Sequence, residues 1–80
     1  MKNPDTLDLI TAGRPYPSTR GVTCHAEAVV FLNDRRAWWL EVAEAHAASA
    51  EFVMLGGCDP AHFIARSRES LAAAEALVIA

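Results

Sequence analysis

Between Asp34 and Ala50 the apolar and polar positions repeat with the period of a helix. At 100° per residue Trp39, Val42, Ala43, His46, Ala47 and Ala50 fall within one arc of about 140°, while Glu41 and Glu44 lie opposite. Asp34 is suited to cap the free amides of a first turn, and neither Gly nor Pro interrupts the residues that follow. This pattern predicts a helix over 34–50 with one core face, on which His46 is a hydrogen-bonded core histidine. Trp38 and Leu40 project from the edges of the arc. Adjacent helical residues point about 100° apart, so one small core is expected to admit Trp39 and to leave Trp38 on the exposed flank beside Ala45 and Ser49, with Trp38 lying flat under the N-terminal segment of its own chain as the competing reading.

The flanking segments show shorter patterns. Residues 1–6 are polar and predict a loose N-terminus, and Leu7–Ala12 alternates enough to predict a short strand. Gly13 to Gly21 holds two prolines and two glycines and reads as a stiff, partly basic loop. Val22–Leu32 reads as a second strand on the strength of Val29-Val30-Phe31-Leu32, with a helix over 24–32 and a turn at Asn33-Asp34 as the competing reading. Glu51–Leu55 stops at Gly56-Gly57 and predicts a buried third strand. Asp59-Pro60 then opens a last helix, along which Phe63, Ile64, Ser67, Leu71, Ala74 and Val78 share an arc that Arg66 and Glu69 avoid. The order strand, strand, helix, strand, helix predicts a single α+β domain over 1–80, a two-layer sandwich with two helices on one face of a short sheet.

Composition limits what such a domain can do. A chain of 80 residues builds one modest core, and although 52% of its residues are hydrophobic, sixteen are Ala. The formal net charge of −3 argues against a general nucleic-acid binder. The charge divides unevenly, from +1 over residues 1–40 to −4 over residues 41–80. No apolar run approaches the ~20 residues that span a membrane, and no secretory pattern precedes Cys24 and Cys58. These features predict a cytoplasmic protein with reduced thiols.

Candidate chemistry is sparse. His25-Ala26-Glu27 resembles the His-x-Glu of zinc-dependent deaminases, in which the His binds zinc and the Glu moves protons. The second half of that signature, Pro-Cys-x-x-Cys, is missing: Gly57 precedes Cys58, and Ala61 stands where the second Cys belongs. Cys24, His25, Cys58 and His62 together are the donor set of a tetrahedral zinc, but neighbours on a strand point to opposite faces, which separates Cys24 from His25. Gly56-Gly57 has none of the spacing of a phosphate loop. No catalytic set emerges, and neither a metal nor a cofactor is expected.

The reading that remains is a small non-catalytic interaction module: a regulator, adaptor or inhibitor of a macromolecular partner, of the kind that phages and mobile elements encode. A homodimer is the simplest association. Its expected partner-binding residues are Trp38, Arg14, Tyr16, Arg20 and Arg35, an indole flanked by the basic loop. The alternative is a metal- or small-molecule-binding domain built on Cys24, His25, Cys58 and His62.

Overall fold

The computed structural model describes residues 3–77, and among these it contains three helices and no strand. The α+β sandwich is therefore corrected to an all-helical fold, and each expected strand has become part of a helix for a local reason. Helix α1 spans Thr6–Ala12. Asp5 caps it by accepting from the Asp8 amide at 3.0 Å, while the Asp5 amide donates back to the Asp8 carboxylate at 3.4 Å, a reciprocal capping box. Gly13, at φ 69°, ends the helix in the left-handed conformation that glycine adopts without strain. Asp5 and Thr6 are thereby removed from the loose N-terminus; Met1 and Lys2 lie outside the described residues.

Helix α2 spans His25–Leu55 and is about 46 Å long at 1.5 Å per residue. Its start is fixed by Glu27, whose carboxylate accepts from the Thr23 amide at 2.9 Å and from the Thr23 hydroxyl at 3.2 Å. Asn33 and Asp34 are ordinary exposed residues in mid-helix, so Asp34 caps nothing and neither reading of 24–34 holds in full. The helix also runs through Glu51–Leu55. It stops at Gly56-Gly57 in a Schellman closure, with the Gly57 amide donating to the Met54 carbonyl at 3.0 Å and the Cys58 amide to the Val53 carbonyl at 2.9 Å. After a short turn Asp59 accepts from the Ala61 amide at 3.0 Å and α3 runs over Ala61–Ala76, antiparallel to the C-terminal part of α2.

The core is built where α2, α3 and the loop meet: Trp38, Trp39 and Val42 from α2 pack with Ala73, Ala74 and Leu77 at the end of α3, and Ala12, Tyr16 and Leu32 close the edges. Both tryptophans are 0% exposed, which corrects the placement of Trp38 on the surface. The angular argument for one indole inside holds only if a single element covers the helix. Here α3 covers the Trp39 side and the 13–21 loop covers Trp38, with Tyr16 edge-on to both indoles at centroid distances of 4.9 and 5.7 Å. Each indole N–H finds an acceptor in that loop, Trp38 in the Arg14 carbonyl at 3.0 Å and Trp39 in the Tyr16 hydroxyl at 3.1 Å. The loop is thus part of the core.

On α3 the buried face is turned from the expected arc. It carries Ser70, Ala73, Ala74 and Leu77, with Phe63, Arg66 and Ser67 partly buried, whereas Ile64 and Leu71 are exposed; Val78 lies outside the described residues. None of the helices among the described residues is long and apolar enough to cross a membrane.

Truncating either indole removes the same shared packing. Trp38→Ala and Trp39→Ala are each expected to lower stability by about 3–5 kcal/mol in chemical denaturation. A Trp38→Ala variant as stable as the parent would mean that the loop does not cover that indole.

Candidate interaction surface

The structure brings four of the five expected partner-binding residues together and turns three of them, Tyr16, Arg35 and Trp38, inward. Tyr16 and Trp38 are packed against each other. Arg35 donates from Nε to the Pro17 carbonyl at 3.0 Å, and its guanidinium lies 4.5 Å over the Tyr16 ring and 4.2 Å over the Phe31 ring. Arg14 pairs through Nε with Glu41 at 3.0 Å, both side chains being about half exposed. Such a pair contributes little by itself, but with Arg35 it pins the start and the middle of the loop onto α2. Arg20 is exposed on the rim of an open groove of about 430 Å³ between Val22, Ala26, Val30 and Phe31.

The proposed metal ligands do not converge. Cys24 and His25 stand at the start of α2 and Cys58 and His62 beyond its end, so a helix about 46 Å long separates the two pairs. No group of three or more His, Cys, Asp or Glu able to hold a metal occurs among the described residues. In the His25-x-Glu27 segment the Glu is engaged by Thr23. The Gly57 and Cys58 amides are used in closing α2 and do not face a phosphate.

A different polar constellation, absent from the sequence reading, joins the three helices. Asp8 is 0% exposed and its Oδ1 lies 2.6 Å from Arg66 Nη2 and 3.3 Å from His46 Nε2. The same Arg66 nitrogen reaches both oxygens of Asp5 at 2.9 and 2.8 Å. Burial acts to lower the Arg66 pKa, but the charge of Asp8, the hydrogen bond and charge of Asp5 and the hydrogen bond to Asp8 outweigh it, leaving the pKa raised above the usual arginine value. Arg66 Nε is buried and makes no hydrogen bond among the described residues. An Asp-His-Arg set invites a catalytic reading, yet acid-base work needs contact with a substrate, and His46 is only 1% exposed. The arrangement is a clamp. Its signal was present in two places, the Asp5-x-x-Asp8 capping spacing and the alignment of Arg66 with Phe63, Ser70, Ala73 and Leu77 on one side of α3.

What α2 and α3 leave uncovered is a groove along one side of their hairpin. Its floor is small, with Ala43, Ala47 and Ala50. Its walls are large and apolar: Leu40 and Met54 on α2 are 40% and 57% exposed, and Ile64 and Leu71 on α3 are 39% and 42% exposed. Leu55 continues this surface at the hairpin tip and is 89% exposed. Glu44, Glu51 and Arg68 supply charge along the groove.

No protein-family model, curated protein or solved structure matches this chain.

The clamp makes two predictions. Asp8→Ala leaves Arg66, among the described residues, with the half-exposed Asp5 and the more distant Glu69 as carboxylate partners and strips His46 of its bond to Asp8, and is expected to cost about 3–5 kcal/mol in urea titration. A raised pKa in the folded state contributes stability that is complete below the unfolded pKa and is lost only as pH rises through the folded value. Since both values for Arg66 lie at or above that of ordinary arginine, its contribution should be constant between about pH 8 and about pH 10. Thermal unfolding of the parent and of Arg66→Met at both pH values checks this: the difference in stability between them should not change.

Proposed function

We propose that the chain is a non-catalytic protein-interaction module that acts by docking a protein partner on the open face of the α2–α3 hairpin. The observation that carries this reading is the set of five large apolar side chains, Leu40, Met54, Leu55, Ile64 and Leu71, left exposed around a floor of alanines. Contiguous apolar surface of this kind, edged with charge, is what a protein partner buries, and a small-residue floor permits close approach of another helix. The face differs from the one expected from the sequence, because Trp38, Tyr16 and Arg35 are occupied in holding the loop. A regulator, adaptor or inhibitor fits this reading, since each acts by occupying a surface.

Site-specific photo-crosslinking in the producing cell tests it. A photoreactive residue at Leu55 should give a discrete protein adduct, one at exposed Asn33 should give none, and Ile64→Glu should reduce the Leu55 adduct at least ~10-fold. Equal adducts from Leu55 and Asn33, or none from Leu55, would overturn the reading.

A further inference from the structure

The spacing of residues around the open face has a two-fold character. On α2 the groove is lined by Leu40, Ala43, Glu44, Ala47, Ala50, Glu51 and Met54. Counted outward from Ala47, the seventh residue in either direction is large and apolar, Leu40 one way and Met54 the other. Four residues away stand Ala43 and Glu51, and three residues away stand Glu44 and Ala50. An antiparallel copy of α2 centred on the same alanine therefore sets Leu40 against Met54.

α3 obeys the same centre. Ser67 Oγ donates to the Ala43 carbonyl at 2.9 Å, which places Ile64, about one turn earlier on the antiparallel helix, level with Ala47. A two-fold axis through Ala47 then also passes Ile64, stacking this exposed side chain on its own copy. Arg68 stands level with Ala43 of its own chain, and the same axis brings it level with Glu51 of the other copy, cation to anion.

The surface area fits such an arrangement. A compact monomer of 8.6 kDa exposes about 4,700 Å² and has a radius of gyration of about 12 Å, whereas this chain exposes 5280 Å² with a radius of 14.2 Å. The excess, about 600 Å², is of the order that each partner of a standard-sized interface buries, roughly 800 Å². We propose that the occupant of the open α2–α3 face is a second copy of this chain, in an antiparallel two-fold dimer centred on Ala47 and Ile64 that closes two hairpins into a four-helix bundle. This rests on reading the face as a protein-docking surface and names what docks there.

Sedimentation equilibrium of the purified full chain tests the dimer independently of crosslinking in cells. The parent should sediment at twice its 8.6 kDa mass at about 100 μM, in the affinity range open to an interface of this size. Ala47→Glu sets two carboxylates against each other on the axis and should give a monomer with an unchanged helical signal. Glu51→Arg should weaken association at least ~10-fold, and adding Arg68→Glu should restore it to within about 3-fold of the parent. If Ala47→Glu unfolds the chain, Ala47→Cys in a Cys24→Ser, Cys58→Ser background decides: a native-like disulfide dimer on mild oxidation supports the proposal, and none overturns it. A parent that stays monomeric at about 1 mM, or a dimer indifferent to Ala47→Glu and to the charge exchange, also overturns it. A monomeric parent with a heterologous Leu55 adduct would leave the interaction reading standing without the dimer.

Discussion

The fold depends on one buried carboxylate. Asp8 comes from a helix of seven residues that has no independent stability, yet it reaches His46 on α2 and Arg66 on α3. Removing a carboxylate and a guanidinium from water costs several kcal/mol each, and only a dense set of partners offsets this. Asp5 supplies the remainder by holding the same guanidinium while capping α1. The capping box and the ion cluster share their two aspartates, so α1 forms and docks in a single event. Docking α1 in turn directs the chain after Gly13 back along α2 and over Trp38.

A second constraint follows from the scarcity of large apolar residues. With sixteen alanines among 80 residues, α2 and α3 by themselves cannot bury two tryptophans. The 13–21 loop supplies what the helices lack: Tyr16 lies edge-on to both indoles, and its hydroxyl and the Arg14 carbonyl accept their N–H groups. Arg35 and Arg14 hold this cover in place. Trp38 and Tyr16, which looked suited to a partner, thus complete the core, with Arg35 laid over the Tyr16 ring.

This concentration of packing at the middle of α2 leaves the C-terminal half of the hairpin thin. There Ala43, Ala47 and Ala50 let α3 approach closely, but Leu40, Met54, Ile64 and Leu71 remain at the rim instead of meeting one another. An elongated body of 50 × 23 × 15 Å follows, with an apolar side that a further helical layer would convert into an ordinary bundle. The proposed function and the proposed dimer both rest on that geometry.

The amino-acid pattern by itself determined the helix through Trp39, Val42, Ala43, His46 and Ala50, the burial of His46, and the start of α3 at Asp59-Pro60, because period, caps and breakers act within a few residues of each other. Tertiary structure decided the rest. Val29-Val30-Phe31 and Phe52-Val53 have β-rich composition, but among the described residues there is no strand for them to pair with, so they extend a helix already nucleated beside them. Whether Trp38 lies inside or outside depended on a loop more than twenty residues away in sequence, and local periodicity carries no information about what covers the far side of a helix. Arg66 looked like a solvated charge because a pattern of polar and apolar positions cannot tell a free guanidinium from one whose carboxylates arrive from residues 5 and 8. The open groove exists only once α3 is set at its particular rotation against α2, with Ile64 and Leu71 turned to its rim and not to the core.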